Sequence, residues 1–141
     1  MVGIEVEKLD LTKLAPRRIL IVDDYPNTAE SFAKLLRHLG HDVDVAFDGL
    51  QAVEIAESRR PDIVLLDIGM PRMNGYEAAE WIREQPWGKQ IRLVALTGWQ
   101  GEEHRQRSLK AGFDAHVVKP IGPTEILLLL VNLLEPDVAP K

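Results

Sequence analysis

The sequence predicts an α/β fold in which a parallel sheet is covered on both faces by helices. Three observations predict it. Short runs of Val, Ile and Leu alternate with segments of helical spacing. The apolar runs end near residues 23, 46, 67, 97 and 119, intervals close to the ~30 residues of a strand–helix–strand unit. Most of the runs are apolar on both parities, as strands buried on two faces require.

Taken in order, Arg18-Ile-Leu-Ile-Val-Asp23-Asp24 is a β-branched run ending in acid, and predicts a first strand. Thr28 to Leu39 carries Ala29, Phe32, Ala33, Leu35, Leu36 and Leu39 at helical spacing, with Gly40 as a stop. Asp42 to Ala46 alternates with period two, the mark of a strand with one wet face. Gly49 to Arg60 puts Ala52, Val53, Ile55 and Ala56 on one stripe, and Pro61 ends that helix. Ile63 to Asp67 is the third strand. After the loop Gly69 to Gly75, a helix is expected over Tyr76 to Glu84, a strand over Ile91 to Thr97, and a helix over Glu102 to Ala111 closed by Gly112. Ala115 to Val118 is a short fifth strand, and Pro123 to Leu134 a fifth helix with proline at its tolerant start.

Composition narrows the function classes. The chain has 141 residues, 45% of them hydrophobic and 28% charged, the range of one globular domain. Its longest uninterrupted apolar stretch, Ile126 to Val131, is far short of the ~18 residues of a membrane span, and Met1 to Pro16 carries acid where a secretory signal needs an apolar core. There are no cysteines, so disulfides, thiolate metal sites and a thiol nucleophile are excluded, and a cytoplasmic protein is expected. With 17 basic and 22 acidic residues the net charge is −5, which argues against binding a nucleic-acid backbone. Met1 to Pro16 reads as an extension, edge strand or linker, and Glu135 to Lys141, with two prolines, as a tail.

In open parallel sheets, ligands sit beyond the carboxyl ends of the strands. The residues at those ends are Asp23, Asp24, Asp67, Thr97 and Lys119. An aspartate after a strand is often only a turn former or helix cap, but five such groups at matched strand ends are hard to explain that way. Three carboxylates in one crevice raise one another's pKa unless a cation joins them. A hard divalent ion suits oxygen ligands of this kind, Mg2+ above all.

These residues carry a resemblance. Ile-Leu-Ile-Val-Asp23-Asp24, Leu-Leu-Asp67 followed by Met70-Pro71 and Asn74-Gly75, Ala95-Leu96-Thr97-Gly98 and Val118-Lys119-Pro120 occur in this order with 30 and 22 residues between positions 67, 97 and 119. The chain resembles the receiver domain of two-component response regulators from about Arg17 to Leu134. The resemblance implies a flavodoxin-like (βα)5 fold with strand order 2-1-3-4-5. It implies that Asp67 is the phosphoacceptor, taking a phosphoryl group from a histidine kinase or histidine phosphotransfer protein. Asp23, Asp24, Asp67 and the Gly69 carbonyl would hold Mg2+. Lys119, in a cis bond to Pro120, would meet a phosphoryl oxygen. Thr97 and the Gly98 backbone would contact the attached group, and His116 stands where the family's switch aromatic is usual.

Alternative readings fit less well. A haloacid-dehalogenase-like phosphatase needs a second acid two residues after the nucleophile, where Gly69 stands, and a flavodoxin-like nucleotide carrier wants a hydroxyl-rich loop where Asp23-Asp24-Tyr25-Pro26-Asn27 stands. A degenerate receiver that only binds proteins would not retain Asp24, Asp67, Thr97 and Lys119 together. The last helix has no charge between Glu125 and Glu135, so an apolar outward face is expected. The face of helix 4, strand 5 and helix 5 is accordingly expected to contact a second copy or another domain. No output domain is expected within the chain.

Gly69 and Trp99 flank the acceptor and the threonine by two residues and offer no group to orient an attacking water. Loss of the phosphoryl group is therefore expected to be slow. The double variant Gly69→Asn with Trp99→Glu shortens the acyl-phosphate lifetime several-fold; an unchanged lifetime, followed by mass spectrometry, contradicts the idea.

Overall fold

The structure, a computed structural model, describes residues 15–70, 72–98 and 101–134. The expectations for residues 1–14, Pro71, Trp99 and the tail 135–141 fall outside the described residues. Strands β1 (Arg18–Val22), β2 (Asp42–Ala46), β3 (Ile63–Asp67), β4 (Arg92–Thr97) and β5 (Ala115–Val118) alternate with helices α1 (Pro26–His38), α2 (Gly49–Arg59), α3 (Gly75–Glu84), α4 (Glu102–Ala111) and α5 (Pro123–Leu134). The strands form one parallel sheet in the order β2-β1-β3-β4-β5, which is the expected topology.

The continuous apolar runs are explained by parity. Successive side chains point to opposite faces of a strand. On one face Leu20, Val22, Val64, Leu66, Leu93 and Ala95 pack with Ala52, Val53 and Ala56 of α2 and Ala78, Ala79 and Ile82 of α3. On the other, Ile19, Ile21, Ile63, Leu65, Val94 and Leu96 pack with Ala29, Ala33 and Leu36 of α1 and Ile126, Leu127 and Leu130 of α5. β3 lies at the centre of the sheet and all five of its residues are buried.

Several boundaries differ from expectation, each for a local reason. β1 ends at Val22, so Asp23 and Asp24 lie beyond the strand rather than in it. α1 begins at Pro26, because proline suits the first helical turn and Tyr25 ahead of it is extended. β4 starts at Arg92, one residue later than expected, and a 3₁₀ turn at Pro86–Gly88 was not foreseen. The outward face of α5 is less apolar in effect than in composition. Leu129, Leu133 and Leu134 lie half-buried against the core, so the helix buries its flanks as well as its central stripe. Among the described residues the large exposed hydrophobics are Tyr25, Leu50 and Leu109, none of them on α5.

One buried polar side chain sits between α1 and β2. Gly40 turns the chain at a φ of +97°, a conformation that favours glycine, and His41 follows, only 7% exposed. Its Nδ1 accepts the Arg17 backbone N–H at 3.1 Å, which fixes the neutral tautomer protonated at Nε2. Among the described residues Nε2 is buried without a hydrogen-bond partner. Burial, followed by the Arg17 charge, pushes the imidazole below its ordinary value of 6.5. The unfolded chain therefore binds this proton more readily than the folded one, and stability falls as pH drops below the ordinary histidine range. His41→Asn keeps an acceptor for Arg17 without the titration. Between pH 7 and pH 5 the wild type is expected to lose more stability than this variant, measured by urea unfolding; parallel profiles contradict it.

Candidate functional site

The register of the sheet assembles the site. Val22 of β1 lies opposite Leu66 of β3, so the next residue of each strand, Asp23 and Asp67, stand side by side. Asp67 in turn lies opposite Leu96, and Thr97 opposite Val118, which places Lys119 just beyond the threonine. The Lys119 backbone N–H donates to the Thr97 carbonyl at 2.7 Å, and the Lys119–Pro120 peptide is cis. All five predicted strand-end residues thus gather at one pole of the sheet.

Asp23, Asp67 and Thr97 are buried, 3%, 5% and 1% exposed, while Asp24 and Lys119 are half-buried. Each of Asp23, Asp24 and Asp67 offers a carboxylate oxygen within 4.8 Å of the others. The Lys119 ammonium stands 3.0 Å from Asp67 Oδ2 and 3.5 Å from Asp23 Oδ2. The second oxygens are held by the backbone: Asp67 Oδ1 accepts the Gly69 N–H at 3.2 Å and Asp23 Oδ1 the Tyr25 N–H at 2.9 Å. The turn-forming role of an aspartate after a strand is therefore real for Asp23, and coexists with its place in the cluster.

Three carboxylates against one ammonium leave two formal negative charges uncompensated. Burial, then the charges of Asp67 and Asp23, push the Asp24 carboxyl above its ordinary 3.8, against the lowering effect of its own backbone hydrogen bond. Burial alone would lower Lys119, but its hydrogen bond to Asp67 and the charges of Asp67 and Asp23 outweigh this and hold it above 10.5. A compact set of hard oxygen donors carrying this charge fits a divalent cation such as Mg2+. Beside it a cavity of about 460 Å3 is lined by Tyr25, Thr28, Phe32, Leu96, Pro120 and Ile121. The larger cavity, about 580 Å3, lies at the opposite pole among Arg17, Arg60, Trp87 and Arg92, away from the carboxylates.

Two predicted residues need comment. Among the described residues a side chain at Gly98 would meet nothing within 4 Å, so packing by them does not demand glycine there. His116 is half-buried beside Ala95, and its Nδ1 is 2.7 Å from Ser108 Oγ on α4. The expectation put it at the family's switch position but did not foresee the serine.

Sequence reasoning also missed the support of the loop after Asp67. Asp48 caps α2 by accepting the Gln51 N–H at 2.8 Å and pairs with Arg72 at 2.6 Å. A Cβ at Gly49 would lie 1.9 Å from the Met73 carbonyl oxygen, and one at Gly75 would lie 2.7 Å from that of Asp67. Asp48 before Gly49 is a legible cap signal; nothing in the sequence marks Arg72.

Comparison with known proteins is consistent with this geometry. Residues 19–131 match the family described as the response regulator receiver domain. The chain is 35% identical over 128 residues to response regulator MprA of Mycobacterium sp. (strain KMS), covering 89% of this chain and 55% of that protein. The chain thus spans about half the length of that relative. Among solved structures, chemotaxis protein CheY4 of Vibrio cholerae superimposes with a TM-score of 0.80 at 30% identity, covering 85% of this chain and 100% of that one. The receiver domain of sensor histidine kinase PA1611 from Pseudomonas aeruginosa PAO1, with a magnesium ion coordinated in its active-site cleft, gives 0.77 at 34% identity, covering 86% of this chain and 99% of that one.

The raised Asp24 carboxyl implies that its ionised form works against folding. With divalent cations removed, Asp24→Asn is expected to raise the thermal midpoint at pH 7 by roughly 1–3 °C, a gain limited by solvent screening. Added Mg2+ should then stabilise the wild type more than the variant. A lower midpoint for the variant in the absence of cations contradicts the repulsion.

Proposed function

The chain belongs to the response regulator receiver domain family, and from that premise we propose that Asp67 accepts a phosphoryl group from a histidine kinase or histidine phosphotransfer protein. The observation that carries the reading is the cluster itself: three carboxylates within 4.8 Å of one another, with the Lys119 ammonium 3.0 Å from Asp67. A carboxylate oxygen of Asp67 attacks phosphorus, the bond from phosphorus to the donor's imidazole nitrogen breaks, and an acyl phosphate forms on Asp67.

Each residue has a physical part in this. Asp23 and Asp24, with Asp67 and the Gly69 carbonyl, would hold Mg2+. The ion supplies positive charge for the carboxylates and the phosphoryl oxygens, so that phosphoryl transfer depends mainly on positioning and electrostatics. Lys119 leaves its pairing with the free carboxylate for a phosphoryl oxygen. Thr97, at the end of β4, donates its hydroxyl to the attached group, and the Gly98 N–H approaches the same oxygens through the open space beside it. His116 behind it follows the threonine. The protein acts as a signalling acceptor in the cytoplasm, not as a turnover enzyme. Its phosphorylated form is read by protein contact through α4, β5 and α5, where Leu109 is 46% exposed.

Incubation with a small phosphodonor and Mg2+ is expected to add one phosphoryl mass, mapped to Asp67 and abolished by Asp67→Asn. Lys119→Ala and Thr97→Ala should remain modifiable but with slower or shorter-lived product. Modification elsewhere, or none in the wild type, overturns the reading.

A further inference from the structure

The loop between β3 and α3 carries Gly69, and its two ends are fixed. At its start the Gly69 N–H donates to Asp67 Oδ1 at 3.2 Å. At its end the Gly75 N–H donates to the Ile68 carbonyl at 2.9 Å, and Asn74 and Glu77 form a reciprocal capping box. Between these points Arg72 has a φ of +67°, a conformation that side-chain-bearing residues rarely adopt. Backbone strain of this kind persists only where surrounding structure enforces it. The Arg72 side chain is held there by an ion pair, Nη2 to Asp48 Oδ2 at 2.6 Å.

Exposed ion pairs generally contribute little, but this one differs in its anchor. The Asp48 side chain is only 10% exposed, and its other oxygen caps α2. One carboxylate thus joins the start of α2 to the middle of the loop. The adjacent Gly49 lets the Met73 carbonyl approach so closely that a Cβ would stand 1.9 Å from its oxygen.

We propose that the Asp48–Arg72 pair is a positioning clamp that sets the loop after Asp67, and through it the affinity of the carboxylate site for a divalent cation. Neither residue touches the reacting atoms. The inference rests on the reading of Asp67, Asp24 and Gly69 as the cation site. Partners outside the ligand set commonly orient the ligands and tune their affinity; here the ligand being oriented is the backbone of Gly69.

The test uses Asp48→Asn, which retains a capping oxygen but removes the charge, together with Arg72→Ala, Arg72→Lys and Arg72→Gly. Mg2+ affinity is read by calorimetry and loop order by amide hydrogen exchange at residues 69, 70, 72 and 73. Asp48→Asn and Arg72→Ala should each weaken Mg2+ binding by about threefold to tenfold, and the double variant should be no weaker than either single one. Arg72→Lys should recover most of the affinity. Arg72→Gly suits a positive φ, so it should melt no lower than the wild type and yet bind Mg2+ as weakly as Arg72→Ala. That separates a clamp from a contribution to stability alone. Phosphorylation by a small phosphodonor should slow at low Mg2+ and recover at saturation. Unchanged Mg2+ affinity in both single variants, or additive losses, overturns the clamp while Asp67 still takes phosphate. A wild type that binds no Mg2+ overturns the reading of the site and the clamp with it.

Discussion

Repulsion among Asp23, Asp24 and Asp67 is the constraint around which the molecule is organised. At an effective dielectric of about 20, two like unit charges about 4 Å apart repel by about 4 kcal/mol. The oxygens of these three side chains come within 4.8 Å of one another. Lys119 offsets the repulsion for Asp67 and Asp23, from 3.0 and 3.5 Å. Asp24 is left with the rest of it, and burial first, then this repulsion, pushes its carboxyl up. Flexible side chains would swing apart under such a load. They stay together because they leave adjacent strands whose register fixes them at the same level, Val22 opposite Leu66 and Leu96 opposite Asp67.

The rest of the architecture follows the same polarity. In a parallel sheet with antiparallel crossover helices, the helix N-termini face the pole of the carboxylates and the C-termini face the other. The partial positive charge of the N-terminal ends favours anions at the first pole, and the C-terminal ends favour cations at the second. The charges are distributed in that sense. Arg17 donates to the Leu134 carbonyl at the end of α5, Arg18 to Arg59 at the end of α2, and Arg60 to Glu57 in the last turn of α2. Arg83, near the end of α3, donates to the carbonyls of Gly88, Ile91 and Gly112 and pairs with Asp114. The net charge of −5 is therefore not a uniform property. Arginines close helix ends at one pole, with Asp42, Asp62 and Asp114 as partners, and the three-carboxylate cluster stands at the other.

That division explains what was legible in the sequence. Most of the elements could be read because β1, β3 and β4 are buried on both parities and α1, α2, α3 and α5 each carry an apolar stripe. The site could be read because its residues stand at strand ends, where a linear pattern and a spatial one coincide. Failures occurred where a tertiary neighbour decides the matter. The uncharged α5 was expected to present an apolar outward face, and of its leucines Leu129, Leu133 and Leu134 instead lie half-buried against the core. The 3₁₀ turn at Pro86–Gly88 depends on close packing, since a Cβ at Gly88 would lie 1.8 Å from the Ile82 carbonyl oxygen. Arg72 is the extreme case: its partner Asp48 lies 24 residues earlier in the chain, and neither spacing nor composition joins them.

α4 completes the picture because it is held differently from the other helices. It buries only Ser108 and Ala111, so apolar contact contributes little to its position. Polar and aromatic contacts take over. The Arg107 guanidinium lies 4.1 Å from the centre of the Tyr76 ring on α3, and Ser108 meets His116 on β5 at 2.7 Å. An element fixed by a few directional contacts has few alternatives to lose and can exchange one set for another, whereas a helix buried against the sheet cannot move without opening a cavity. β5, which carries His116, also leads into Lys119, and the Lys119 N–H is bonded to the Thr97 carbonyl. Under the proposed function, a change at Thr97 and Lys119 reaches α4 through that short strand and its histidine. α1, α2, α3 and α5 meanwhile keep the carboxylates in register.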